Sequence, residues 1–227
     1  AAQVKSVDTT GELCKLTVET KKGTEVIEAE TVLSAVGVIP NTDSIGLEEV
    51  GVEMVRGRKI KVDEYYRTNV EGIYAIGDIV PTQALAHVAS AEGICCVEAI
   101  CGLNPKPIDY GNIPGCTYVT PEVASVGMTE RAVKEAGIEY KVGKFFFLAS
   151  GKAAAAGEKD GFVKLIIDAA TDRILGAHLV GANVTEMISG IVAGRNTGMT
   201  ASDLIHSVHP HPTMSEAIME AAEASHG

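Results

Sequence analysis

Near the C-terminus the chain reads Ser207-Val208-His209-Pro210-His211-Pro212-Thr213-Met214-Ser215-Glu216. A histidine near a carboxylate can serve as a base whose imidazole the acid orients, which is chemistry that thiols need near neutral pH. The same residues have a structural reading. Thr213 followed three positions later by Glu216 is a capping box, and the flanking prolines fix the entry to a helix and hold His211 at its mouth. Spacing alone leaves both open. His206, His209 and His211 are a rival metal set, but they match no standard zinc spacing and no metal site is expected.

Eleven residues, Thr68-Asn69-Val70-Glu71-Gly72-Ile73-Tyr74-Ala75-Ile76-Gly77-Asp78, end a short hydrophobic strand in a glycine and an acid. The glycine lets the backbone approach a ligand, and Asp78 at the strand's C-terminal end can accept hydrogen bonds from hydroxyls. A following helix aims its N-terminal amides at the same place, where they favour negative charge. Taken by itself, a Gly-Asp at a strand end is equally an ordinary turn. Cys96 and Cys101 have the C-x-x-x-x-C spacing of a redox disulfide. Residues five apart on the helix expected from His87 to Ile100 stand about 140° apart around its axis, poorly placed for a bridge. They read as small buried thiols on the helix. The odd total of five cysteines, without regular spacing, suits a reducing compartment.

The elements that must hold these residues follow from patterning. Residues 2 to 36 alternate apolar and polar positions around turns such as Lys22-Gly23, predicting a β-meander that ends in the apolar run Thr31 to Val36. Ile60 to Tyr66 and Gly72 to Ile76 read as short strands, the second buried, and Leu85 to Ile100 as a long helix. Gly102-Leu103-Asn104-Pro105-Lys106-Pro107 breaks that helix and sets a domain boundary near Tyr110. Beyond Gly111 the order is strand (Cys116 to Val119), helix (Thr129 to Ala136) and three strands (Tyr140 to Phe147, Phe162 to Asp168, Ile174 to Val180). Helices follow from Val184, from Ala201 and after Pro212. Strands grouped together with helices over one face predict an α+β domain with a mainly antiparallel sheet. No G-x-G-x-x-G joins a strand to a helix, although the first hundred residues otherwise look like parts of nucleotide-binding folds.

With 227 residues, 46% of them hydrophobic, the chain is long enough for one or two cores. Its 19 basic and 30 acidic residues give a net charge of −11. No Lys/Arg-rich run is present to track a phosphate backbone, which argues against nucleic-acid binding. Apolar stretches fall far short of the ~18 residues of a membrane span, and the start carries no signal-peptide pattern. A soluble, cytoplasmic protein without a membrane segment is expected.

The Thr68 to Asp78 stretch resembles the second flavin-binding fingerprint of the two-dinucleotide-binding-domain flavoproteins. His211-Pro212-Thr213 with Glu216 resembles the C-terminal signature of the pyridine nucleotide-disulfide oxidoreductases. Within that family, Ala84-Leu85-Ala86-His87, Tyr118 to Gly127 and Ile174 to Gly181 are similar to the dihydrolipoyl dehydrogenase branch. The resemblance implies that Asp78 holds the ribityl chain of FAD and that the backbone of Ala84, Leu85, Ala86 and His87 lies against the flavin ring. It implies that Gly37, within Ser34 to Asn41, touches NAD, although the arginine often found after that glycine is absent. It makes His211 the acid-base partner of a dithiol, with Glu216 orienting it and His209 structural.

The implied organisation is the end of an NAD-binding domain (1–68), a segment of an FAD-binding domain (69–110) and a dimerisation domain (111–227). The fold class is then α+β, an antiparallel-sheet dimerisation domain with helices preceded by partial Rossmann-like α/β segments. The family's first flavin fingerprint, redox cysteine pair and nicotinamide fingerprint have no counterpart here. The chain thus resembles the later portion of a longer family member and is expected to be inactive alone. The intact protein would oxidise protein-bound dihydrolipoamide through an active-site disulfide and FAD to reduce NAD. It would work as a homodimer in which His211 serves the opposite subunit, with lipoyl-bearing subunits of 2-oxoacid dehydrogenase or glycine cleavage complexes as partners. A glutathione-reductase-like enzyme is an alternative, against which Ala84 to His87 stand. An inactive dimerisation module is another. The apolar stretch Met187 to Ala193 and a glycine surface at Gly190, Gly194 and Gly198 are expected to supply the two-fold contact.

Overall fold

The computed structural model describes residues 2–227. Alternation near the N-terminus produces the expected meander: β1 (Ala2–Asp8), β2 (Cys14–Thr20) and β3 (Gly23–Ala29) pair antiparallel in that order. Lys21 and Lys22 make the tight connection between Thr20 and Gly23. Only Val18 of this sheet is buried. The apolar run Thr31 to Val36, expected as a further strand, forms none, and Leu33 and Val36 stand 89% and 93% exposed. A hydrophobic run becomes a strand only when a neighbour satisfies its backbone, and among the described residues nothing pairs with it.

Two further expectations shorten for local reasons. The strand predicted over Ile60 to Tyr66 is reduced to β5 (Lys59–Ile60), paired with β4 (Met54–Val55). The Asp63 carboxylate accepts the backbone N–H groups of Tyr65 and Arg67, both at 2.9 Å, and Tyr66 adopts a left-handed φ of 67°. A side chain that hydrogen-bonds its own backbone in this way offers the chain a turn in place of a ladder. Gly72 to Ile76 contributes one antiparallel bridge, Tyr74 to Arg67, and buries only Ala75. The long helix forms as α1 (Ala86–Ile100), with Leu85 at its N-cap; Cys96 is buried on it as expected, but Cys101 is its C-cap and exposed, because the helix ends one residue before it.

A short turn at Tyr110–Asn112 leads into a five-stranded sheet. Its strands are β6 (Gly115–Thr117), β7 (Glu122–Gly127), β8 (Tyr140–Phe146), β9 (Phe162–Asp168) and β10 (Ile174–Gly181), in the order β6-β7-β10-β9-β8 and antiparallel throughout. The helices are α2 (Glu130–Glu135), α3 (Gly151–Ala156), α4 (Val184–Thr197), α5 (Ala201–His206) and α6 (Glu216–Glu223). Strand β7 and helix α3 were not expected.

Val163, Leu165 and Ile167 of β9 share one face, where they join a core with Leu179 of β10, Ile188 and Ile191 of α4 and the alanines of α6. Gly143 of β8 lets α6 come down onto that face: a Cβ there would overlap the Ala221 carbonyl and lie 2.8 Å from the Ser225 amide. The other face is not bare, contrary to the one-sided arrangement expected. Lys164 alternates to it and pairs with Glu130 of α2, which also accepts from the Tyr140 hydroxyl at 3.2 Å.

Arg195 of α4 is half-buried and ties the Tyr110–Asn112 turn to this domain. Its guanidinium donates to Asn112 Oδ1 at 2.9 Å and to the carbonyls of Gly111, Ile174 and Leu175, while Asn112 Nδ2 donates to the Val192 carbonyl. The three glycines expected to form one contact surface on α4 do not. Gly190 faces open space, Gly194 lies beneath Met199, and Gly198 is the left-handed C-cap beside Arg173. Ile188 and Ile191 likewise belong to the chain's own core.

Candidate functional site

Two groups of predicted residues come out as separate constellations. The first is the end of the Gly72 to Ile76 segment. Gly77 opens a single helical turn, Gly77–Ile79, with φ of 74°, and its position under α1 leaves no room: a Cβ would lie 3.2 Å from Ala89 Cβ. A Cβ on Gly93 of α1 would lie at the same distance from Ile76 Cδ1. Helix α1 therefore packs through small residues directly onto the strand end.

This close approach leaves the Asp78 carboxylate exposed, and among the described residues no protein donor reaches it. Beside it, Ala84 is exposed, Leu85 is extended, and the N-terminus of α1 has no side-chain cap, so its first amides stand open. An acceptor for hydroxyls next to uncapped amides suits the polyol chain and polar ring edge of a flavin. His87 is exposed and its Nε2 meets the Pro114 carbonyl at 3.1 Å, a structural contact across to the next segment. Gly37 has a positive φ of 94°, and no atom lies within 4 Å of where its Cβ would be. No hydrogen bond joins it to the Asp78 region among the described residues.

Sequence reasoning passed over Glu92. It is completely buried on α1, where its Oε2 accepts the Gly77 N–H at 2.6 Å and its Oε1 accepts the hydroxyls of Thr82 at 2.6 Å and Tyr110 at 2.7 Å. Tyr66 and Tyr110 hydroxyls are 3.0 Å apart. Burial first, then its bonds to Tyr66 and Glu92, pushes the Tyr110 phenol well above the ordinary tyrosine range, and burial raises Tyr66 too. The signal was in the pattern: Val88, Glu92, Cys95 and Cys96 make one buried helical stripe, and a carboxylate in such a stripe needs partners.

The second constellation is the loop between α5 and α6. His211 Nδ1 lies 2.8 Å from Glu216 Oε1, and Glu216 Oε2 accepts the Thr213 backbone N–H at 2.7 Å. A carboxylate only accepts, so Nδ1 carries the hydrogen of that bond and Nε2 has the free lone pair. The imidazole is 79% exposed while Glu216 is 25% exposed, so the ring projects from an anchored acid. The Thr213 amide, and after it His211, hold the Glu216 carboxyl below the usual glutamate range.

The expected capping box is half formed. Thr213 Oγ1 donates to the Pro210 carbonyl, and α6 begins at Glu216 itself with Ser215 as an uncapped N-cap. Since Glu216 is the first helical residue, its side chain can span both Thr213 and His211. His209 Nε2 contacts the Leu204 carbonyl and His206 Nδ1 the Ser202 carbonyl, each engaged in its own local bond. Among the described residues no three His, Cys, Asp or Glu side chains converge as a metal set.

Residues 1–93 match the family model for pyridine nucleotide-disulphide oxidoreductases, and residues 113–222 match the model for the dimerisation domain of the same family. A dihydrolipoyl dehydrogenase from Rhizobium etli is 50% identical over 92% of this chain and 44% of its own length. A mitochondrial dihydrolipoyl dehydrogenase from Pisum sativum is 45% identical over 99% of this chain and 45% of its own. The solved structure of LpdA from Mycobacterium tuberculosis superposes with a TM-score of 0.90 at 28% identity, over 98% of this chain and 48% of that one. The chain thus spans less than half the length of each of these three.

Proposed function

This chain belongs to the pyridine nucleotide-disulphide oxidoreductase family, and on that premise we propose that it is the C-terminal part of a dihydrolipoyl dehydrogenase. The substrate is protein-bound dihydrolipoamide, carried by lipoyl-bearing subunits of 2-oxoacid dehydrogenase or glycine cleavage complexes, and the final acceptor is NAD. Residues 1–68 end an NAD-binding domain, with Gly37 on its nucleotide side. Residues 69–110 complete an FAD-binding domain, and 111–227 form the dimer contact. The odd number of cysteines, without regular disulfide spacing, supports a reading of a reducing, cytoplasmic compartment.

The observation that carries this reading is the His211–Glu216 pair with its ring projecting outward. Glu216 fixes the tautomer, leaving Nε2 to take the proton of a substrate thiol as that thiol becomes a nucleophile. Nothing on this chain stands opposite Nε2 among the described residues, so the disulfide that the substrate thiol attacks comes from elsewhere, in a two-fold dimer from the partner subunit. Asp78 would accept the hydroxyls of the ribityl chain, and the backbone of Ala84, Leu85, Ala86 and His87, at the open N-terminus of α1, would lie against the flavin ring. FAD, when bound, supplies the two-electron connection between the disulfide and NAD.

The test is substrate choice in the flavin-bearing protein that contains these residues. NAD reduction driven by dihydrolipoamide, with no turnover of glutathione disulfide, is the expected outcome. The reverse preference overturns the substrate assignment in favour of a glutathione-reductase-like enzyme.

A further inference from the structure

Asp78 makes no hydrogen bond of its own within the protein among the described residues, so its direction depends on the backbone behind it. The amide that fixes this backbone, Gly77 N–H, is bound to Glu92 at 2.6 Å from the buried side. Glu92 is itself held against rotation, because its other oxygen receives Thr82 from the loop before α1 and Tyr110 from the turn after it. With Tyr110 donating to Glu92, the hydroxyl of buried Tyr66 donates to Tyr110, extending the chain of bonds. A buried carboxylate is costly unless donors converge on it. Here three converge from three separate segments around the strand end.

We infer that Glu92 is a positioning residue for the flavin site: by holding the Gly77 amide it sets the direction of the Asp78 carboxylate, and through it the affinity for FAD. The inference rests on the reading of Asp78 as a ribityl ligand. Glu92 touches no ligand itself. It acts from the hidden face of α1, which Gly77 and Gly93 let approach the strand end closely: a Cβ on Gly77 would lie 3.2 Å from Ala89 Cβ, and one on Gly93 3.2 Å from Ile76 Cδ1.

The experiment is a double-mutant cycle in the flavin-bearing protein, with FAD dissociation constants measured by flavin fluorescence on titration into apoprotein, and thermal midpoints in parallel. Glu92→Gln keeps the shape but cannot accept from all three donors, and is expected to weaken FAD binding by about tenfold. Asp78→Asn is expected to weaken it at least as much. The double variant is expected to bind within about twofold of Asp78→Asn alone, since both act through one contact. Additive losses, or a Glu92→Gln protein with a lowered midpoint and unchanged FAD affinity, overturn the inference and leave Asp78 in place. Asp78→Asn with parental affinity overturns the ribityl assignment, and with it the route proposed for Glu92. If Glu92→Gln yields no folded protein, Tyr110→Phe paired with Asp78→Asn runs the same cycle: a smaller, equally non-additive loss supports the inference and an additive one overturns it.

Discussion

His211 and Glu216 divide two tasks that the sequence pattern could not separate. Glu216 serves helix entry through Thr213 with one oxygen and the imidazole with the other, so one side chain makes the bonds that the structural and the chemical readings each require. If His211 is the base for the dithiol, only the half-reaction that involves thiols needs it. In the flavin-bearing protein, His211→Gln is expected to cut lipoamide-linked turnover by about 100-fold or more, while NADH oxidation by an artificial dye survives. Steady-state assays with the two acceptors decide this, and equal loss of both would assign His211 a structural role.

Among the elements, the second half of the chain is held by close backbone approach and by capped helix ends. Helix α6 lies on β8 at Gly143, where an added methyl meets the Ala221 carbonyl. Gly143→Ala is expected to destabilise by about 2 kcal/mol or more, read as a lower midpoint in thermal or urea unfolding; an unchanged midpoint would mean that α6 shifts freely. Part of the acid sensitivity should come from the carboxyls around α5. Asp203 is held below the ordinary aspartate value by the Thr200 amide and hydroxyl. Burial opposes the same shift at Asp172, but the Ser202 amide and His226 outweigh it. A carboxyl whose folded pKa lies below its unfolded one contributes fully above the unfolded value and loses that contribution as pH falls through the folded one. The midpoint should therefore drop steeply below about pH 4, and Asp172→Asn should flatten the drop. A parallel curve for the variant would remove Asp172 from the cause.

For the molecule as a whole, the question is what covers the surface left open. Tyr118 and Val119 follow β6 with 82% and 51% exposure, and Val208 before the His211 loop is 99% exposed. Apolar groups so exposed fit a two-fold contact. At micromolar concentration, light scattering is expected to give twice the chain mass of 23.7 kDa, and a mass near 23.7 kDa would refute the contact. The 227-residue chain is also expected to retain little or no FAD and to show no lipoamide turnover, because a first flavin fingerprint and a redox cysteine pair are absent from its sequence. Yellow purified protein with turnover would sink that expectation.

What proved legible from residue order was local. The helix from Ala86 to Ile100, the strands β8, β9 and β10, and the helices starting at Val184 and Ala201 all lie where periodicity, caps and turn residues predict them. The spacing of His211 and Glu216 was equally readable, because a few residues of loop confine both to one neighbourhood. Other features required partners distant in the chain. Thr31 to Val36 has strand composition and no strand, since pairing is a property of neighbours. Gly194 looks like surface until Met199 lies over it. Glu92 becomes meaningful only when Gly77, Thr82 and Tyr110 converge on it. Sequence specifies which groups need burial or hydrogen bonds, and folding alone determines which distant groups meet that need.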